Sequence, residues 1–166
     1  MSNLKKASVK KVRKALGDAG LNDTVIELDK TAKTAEDAAK STGAELGAIV
    51  KSLVFVIGEQ PVMALVAGDH MCKPENLPRA LNLEGDVTKA SADDVKAATG
   101  FTIGGCSPVA HKMELPMVID VSLKRFETLY ASAGHSHCVF PTTVGELKRL
   151  TGGIVSYNIA EPVSES

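Results

Sequence analysis

The 166-residue chain has only three cysteines, Cys72, Cys106 and Cys138, and no C-x-x-C pair. An odd number of separated thiols argues against a disulfide framework and against a structural zinc site, and fits a reducing compartment. No apolar run approaches the ~20 residues that span a bilayer, and the basic N-terminus is followed by neither an apolar core nor a small-residue cleavage site. The expectation is a soluble, cytoplasmic protein with no membrane partner. Excess charge is missing as well: a net charge of −1 removes any global electrostatic argument for a nucleic-acid partner. Internal repeats and low-complexity tracts are absent, and so are a P-loop and a G-x-G-x-x-G fingerprint.

What remains is an ordinary globular composition, 44% hydrophobic and 23% charged. It predicts one domain over residues 1–160, followed by a polar tail over 161–166. Val9, Val12 and Leu16 form an apolar stripe at helical spacing, and Thr24 to Leu28 reads as a short strand. Thr34 caps a helix ending near Gly43. The run Ile49 to Ile57 turns at Gly58-Glu59-Gln60-Pro61 into a second apolar strand, Val62 to Ala67, which predicts a hairpin at the centre of a sheet. Pro74 opens a helix to about Leu81, Ser91 caps another that stops at Gly100, and Met117 to Asp120 is a strand. Ser122 predicts a helix to about Tyr130. Cys138 to Phe140 is a short strand, Thr143 caps a last helix, and Ile154 to Tyr157 is a last strand. Strands and helices mix without strict alternation. The fold class expected is therefore α+β (mixed α/β), a curved mixed sheet or barrel flanked by helices, rather than a doubly wound parallel sheet.

Within the most apolar run stands a lysine. Strand alternation puts Lys51 on the face of Leu53, Phe55 and Ile57, an expensive place for an ammonium. Either it snorkels to water from the strand's mouth, or it opens into a cavity that needs a positive charge. A second concentration of charge lies near the start, where Lys6, Lys10, Arg13 and Lys14 gather on the helix face opposite Val9 and Val12. That face is either solvated or a contact surface for RNA phosphates.

The loop Gly104-Gly105-Cys106-Ser107-Pro108 is the other notable feature. Adjacent glycines allow positive φ or close approach, and the proline fixes the exit, so the loop can present backbone N–H and C=O groups to a ligand or to a developing oxyanion. A tight helix-to-strand turn is the plainer alternative. Cys106 could be a nucleophile, although nothing pairs it with His70, His111, His135 or His137. His135-Ser136-His137, read as strand, places two imidazoles on one face as a zinc site requires, yet no third ligand is marked by spacing. Contacts from these histidines to a polar substrate are the other reading.

Taken in order, Ile49 to Phe55, Val66-Ala67-Gly68-Asp69, Thr99-Gly100 leading into Gly104 to Pro108, Val118-Ile119-Asp120 and Ala133-Gly134-His135 resemble the successive blocks of the YbaK/prolyl-tRNA-editing-domain family. The resemblance runs from about residue 4 to 157. It implies a trans-editing hydrolase of the free-standing kind, which deacylates mischarged tRNA, such as alanine or cysteine carried on proline tRNA, by ester hydrolysis. By the same resemblance Lys51, Gly104 and Pro108 are the expected catalytic positions, and Gly105, Cys106, Ser107, Gly134 and His135 contact the substrate. Lys6, Lys10, Arg13 and Lys14 are the expected tRNA contacts. No cofactor and no metal is expected, and the partners implied are the acceptor end of mischarged tRNA, prolyl-tRNA synthetase and a second copy of the chain. His70-Met71-Cys72-Lys73 and Cys106-Ser107-Pro108-Val109 depart from the commoner family wording, which bears on the amino acid removed. Two rivals stand beside this reading: a Cys106-dependent or metal-dependent hydrolase of another small ester, and a non-catalytic tRNA-binding module.

Overall fold

A computed structural model describes residues 2–163 of the protein. Its strands are β1 (Ile26–Glu27), β2 (Val50–Ile57), β3 (Gln60–Ala67), β4 (His70–Cys72), β5 (Val87–Lys89), β6 (Met117–Asp120), β7 (Leu129–His135), β8 (Cys138–Thr142), β9 (Ile154–Ser156) and β10 (Ala160–Pro162). The helices are α1 (Ala7–Asp18), α2 (Ala35–Thr42), α3 (Leu77–Leu81), α4 (Ala92–Thr99) and α5 (Val144–Thr151).

The main sheet has the order β5-β2-β3-β6-β9. β2 runs antiparallel to β3 and β5, whereas β3, β6 and β9 are mutually parallel. A second antiparallel sheet, β1-β8-β7, meets the first through a parallel bridge between Ile49 and Tyr130, and β4 pairs with β10. The mixed sheet of the sequence reading is present, and it remains open, with β5 and β9 at its edges instead of closing into a barrel.

The central hairpin explains the core. β3 is buried on both faces, as a strand covered on both sides must be, so Val62, Ala64 and Val66 pack in one cluster and Met63, Leu65 and Ala67 in the other. On β2 the same alternation sends Leu53, Phe55 and Ile57 to the first cluster and Val50 and Val54 to the second. β5 pairs only with Phe55 to Ile57, so the N-terminal half of β2 has no strand on its outer edge. That free edge becomes one wall of the site described below.

Local signals worked where the chemistry was local. Thr34 Oγ1 accepts the Asp37 N–H (3.1 Å), and Ser91 with Asp94 forms a reciprocal capping box. Val9, Val12 and Leu16 are buried at 0%, 0% and 1% exposure, so α1 docks by the predicted stripe. Three expectations fail. The helix proposed from Ser122 to Tyr130 is a short 3-10 turn, Val121–Arg125, capped by the Asp120 side chain, after which the chain enters β7. Leu129, Ala131 and Ala133 of β7 are buried in alternation with the half-buried Tyr130 and Ser132, the period of a strand, and the segment pairs with β8. Thr24 to Leu28 yields only the two paired residues of β1. The supposed polar tail from Glu161 instead continues as β10, with Glu161 opposite Met71 and Pro162 opposite His70; residues 164–166 lie outside the described residues.

α1 sits on β7 through one tight contact. Gly134 is buried with φ +97°, and a Cβ there would run into the carbonyl oxygen of Ser8. Gly134→Ala is therefore expected to cost at least about 2 kcal/mol, since both the backbone conformation and the space oppose it. Urea unfolding checks this, and a variant with the wild-type midpoint contradicts it.

Candidate functional site

A cleft of about 430 Å³ opens beside the free edge of β2. Val50, Lys51, Ser52 and Leu53 form one wall, and Tyr130, Ala131, Ser132 and Val139 of the second sheet form another. The segment from Ala32 to Glu36 and the loop residues Ile103, Gly104 and Cys106 stand over the opening. Apolar and polar groups alternate around it, which suits a small ligand with one hydrophobic part and several hydrogen-bonding atoms.

Lys51 is half-buried, second in β2, and its ammonium donates to the backbone carbonyl of His70. Burial lowers its pKa, and the carboxylates of Glu36, Asp69 and Asp120 pull it back up. The snorkelling alternative is thus only half right: the lysine lies at the strand's mouth, and that mouth is the cleft. Its acceptor carbonyl is held in place from outside. Arg125 makes a two-pronged ion pair with Asp69 (2.7 and 3.0 Å), and His70 Nδ1–H donates to the same carboxylate at 2.7 Å. Arg125 Nε also donates to Ser122 O (2.7 Å), so the Gly68-Asp69 turn is tied to the end of β6. Asp120, 3% exposed, accepts the Ala67 N–H (3.3 Å) and the Ser122 N–H (3.0 Å) beside it.

Ser52 was not foreseen. Its hydroxyl is buried, lines the cleft and has no hydrogen-bond partner among the described residues. Val54 O accepts the Ala90 N–H across the β5 side, so by alternation the N–H and C=O of Ser52 point to that same edge, where no strand pairs with them. The only sequence signal was a hydroxyl inside an apolar run. Lys33, Glu36 and Ile103 were also missed, because their place in the cleft depends on tertiary packing. Glu36 is the one carboxylate among the lining residues.

The glycine loop divides into parts. Gly104 has φ +93° and lies under the Lys33 stem, whose Cγ would be 2.8 Å from any Cβ added there. Gly105 N–H closes the turn on Thr102 O at 3.0 Å. Gly104 and Cys106 face the cleft, whereas Ser107 and Pro108 are buried and are not among its lining residues. Ser107 O receives His111 Nε2 (2.6 Å), and Ser107 Oγ receives the Val109 N–H (3.3 Å), so Ser107 braces the exit of the loop. Gly105, Gly134 and His135 line a neighbouring groove of about 390 Å³ instead.

Burial raises the Cys106 thiol to about 11, so it is protonated at neutral pH, the wrong state for a nucleophile. The two late histidines are not strand neighbours. His135 ends β7 and His137 sits in the turn before β8, because that hairpin needs a connection. His137 N–H donates to His135 Nδ1 (3.1 Å), while His137 Nδ1 contacts Leu28 O (3.2 Å). Among the described residues no three His, Cys, Asp or Glu side chains gather as a metal site. On α1, Arg13 is bound to Asp23 (2.8 Å) and Leu4 O (3.1 Å), and Lys14 pairs with Asp18 (2.8 Å), which leaves Lys6 and Lys10 as the unpaired cations of the expected face among the described residues.

An open mixed sheet, a second small sheet and a lysine-bearing cleft between them define the class, an α+β protein with its candidate site at the free edge of β2. The chain belongs to the aminoacyl-tRNA editing domain family, whose model matches residues 29–150. It is 30% identical over 145 residues to YwhH of Bacillus subtilis (strain 168), covering 87% of this chain and 91% of that protein. It is 32% identical over 102 residues to EbsC of Enterococcus faecalis, named as a candidate Cys-tRNA(Pro)/Cys-tRNA(Cys) deacylase, with 61% of this chain and 62% of EbsC covered. A crystal structure of a candidate trans-editing enzyme for prolyl tRNA synthetase superposes with TM-score 0.86 at 35% identity, covering 94% of this chain and 98% of that one.

The Asp69 and Arg125 pair carries a pH signature. Arg125 foremost, then His70, holds the Asp69 carboxyl down at about 2. A depressed folded-state pKa gives stability that is complete above the unfolded value of about 4 and is lost as pH falls toward the folded one. Arg125→Ala should therefore flatten the fall in urea midpoint between about pH 4 and pH 2. An unchanged slope in that window would remove the pair from the account.

Proposed function

We propose that the protein is a trans-editing aminoacyl-tRNA deacylase, which hydrolyses the ester of mischarged tRNA and acts on alanine or cysteine carried by proline tRNA. The observation that carries this reading is Lys51, an ammonium kept in a cleft wall at cost to an apolar strand. Membership of the editing-domain family, the name of EbsC and the likeness to the candidate trans-editing structure support it. In this reading residues 1–160 act as one editing domain in the cytoplasm, beside prolyl-tRNA synthetase.

The chemistry is addition of water to the ester carbonyl carbon, then cleavage of the bond to the ribose 3′ oxygen. Water gives its hydroxyl to the acyl carbon and a proton to the departing oxygen, so a free amino acid and an uncharged tRNA result. Lys51 pairs with the ribose or phosphate end of the terminal adenosine and holds the ester still. Glu36 offers a carboxylate to the substrate's α-ammonium, and the Ser52 hydroxyl offers a hydrogen bond that the protein itself leaves unused. The backbone at Gly104 and Cys106 supplies N–H groups for the oxyanion. With no histidine and a single acid among the lining residues, the water's proton passes to the substrate's own oxygens. Such a site provides the second sieve that a synthetase needs, because one pocket discriminates against a slightly smaller amino acid by only about 1–3 kcal/mol.

Single-turnover hydrolysis of Ala-, Cys-, Ser- and Pro-tRNA(Pro) tests the reading. Alanyl or cysteinyl ester should be cleaved at least about tenfold faster than prolyl ester, and Lys51→Ala should slow that cleavage by about two orders of magnitude, near 2.7 kcal/mol of transition-state stabilisation. Cys106→Ala should remain active. A folded but inactive Cys106→Ala would favour the thiol, and no turnover of any ester would leave an RNA-binding module.

A further inference from the structure

The groove beside the cleft has a charge pattern that ester hydrolysis alone does not use. Lys6, Lys33 and Lys96 line it together with Ser8, Thr102, His135 and Ser136, and no carboxylate is among its lining residues. Lys6 and Lys33 make no ion pair among the described residues, and Lys96 Nζ donates only to Gly100 O (3.1 Å). Glu27, which acts on His135 from nearby, has its carboxylate occupied by the Asn3 N–H (2.7 Å) and the Ser2 hydroxyl (3.1 Å). Burial and then Lys6 lower the His135 pKa, so the imidazole there is a neutral hydrogen-bonding group.

The groove and the cleft are continuous, since Lys33, Ile103 and Gly104 belong to both. Lys33 lies across Gly104 at the boundary, and Ile103 stands there 59% exposed, an apolar side chain on an otherwise polar rim. A polyanion leaving the cleft would therefore meet an apolar contact and then three ammonium groups in one trough.

We infer that this groove holds the phosphate backbone of the single-stranded 3′ end of the substrate RNA, with Lys6, Lys33 and Lys96 as phosphate contacts and Ile103 packing against the nucleotide at the threshold. The inference rests on the deacylase reading for the occupant of the cleft, and its chemistry requires only a single-stranded polyanion. It moves the RNA path from the outer face of α1, where Arg13 and Lys14 are engaged by Asp23 and Asp18, to the trough between α1, α4 and the β7–β8 hairpin.

The test measures binding of a fluorescent single-stranded RNA ending in CCA as a function of salt, for the wild type, for Lys6→Ala/Lys33→Ala/Lys96→Ala and for Lys10→Ala/Lys14→Ala. Single-stranded contacts contribute about 0.7 each to the salt slope, so the triple variant should lose roughly 2 in slope and the double variant much less. In kinetics, the triple variant's loss of kcat/KM should be at least about tenfold larger on charged tRNA than on aminoacyl-adenosine, which has no such phosphates. Wild-type slope in the triple variant, a larger loss in the double variant, or equal losses on both substrates would overturn the groove assignment. If the wild type binds RNA through the groove but cleaves no ester, the groove stands and the deacylase reading falls.

Discussion

Everything at this site depends on keeping an ammonium half-buried at the start of an apolar central strand. Burial disfavours the charge of Lys51, and the surroundings respond with a carbonyl acceptor from His70 and three carboxylates near enough to be felt. The acceptor is itself fixed by the Asp69 and Arg125 pair, which joins the turn after β3 to the 3-10 turn after β6. Two parallel neighbours in the main sheet, β3 and β6, thus end in one electrostatic cluster, and the lysine on the adjoining strand β2 is positioned before any ligand arrives.

The second constraint is the edge that β5 leaves uncovered. A full-length partner for β2 would pair the Ser52 N–H and C=O and cover the cleft; the short β5 stops at Phe55 and leaves that backbone edge open beside the buried, unpartnered Ser52 hydroxyl. The second sheet packs against β2 without extending its ladder, its one backbone bridge joining Tyr130 to Ile49 just before β2 begins. What fills the gap is the glycine loop on one side and the start of α2 on the other. Positive φ at Gly104 and the Lys33 stem lying on it make the loop part of both the cleft and the cationic groove.

Much of this was legible in the residues. The stripe Val9, Val12, Leu16, the caps at Thr34 and Ser91, the hairpin around Gly58 and the misplaced lysine all rest on local chemistry that survives folding. The resemblance pointed to the family whose model matches residues 29–150, and the mixed sheet expected from the order of elements is the one the topology shows. The failures share a cause. Ser122 looked like a helix cap because hydroxyl residues before a polar stretch usually are, yet Asp120 does the capping and pairing with β8 takes the following residues. His135 and His137 looked aligned until a turn was placed between them. Arg13 and Lys14 looked free because Asp23 and Asp18 count only once the chain is folded. Ser52, Lys33 and Glu36 acquire meaning from what faces them across the cleft, which no spacing along the chain records.

The central claim is that Lys51 is kept for chemistry and against stability, so Lys51→Met, which preserves the stem and removes the charge, separates the two most directly. Urea midpoint and single-turnover deacylation measured on the same preparation should diverge: the midpoint equal to or above that of the wild type, because a desolvated charge is gone, and the rate down by about a hundredfold. A variant that unfolds more easily yet cleaves the ester at the wild-type rate would show that the lysine serves the fold, and the account would be wrong.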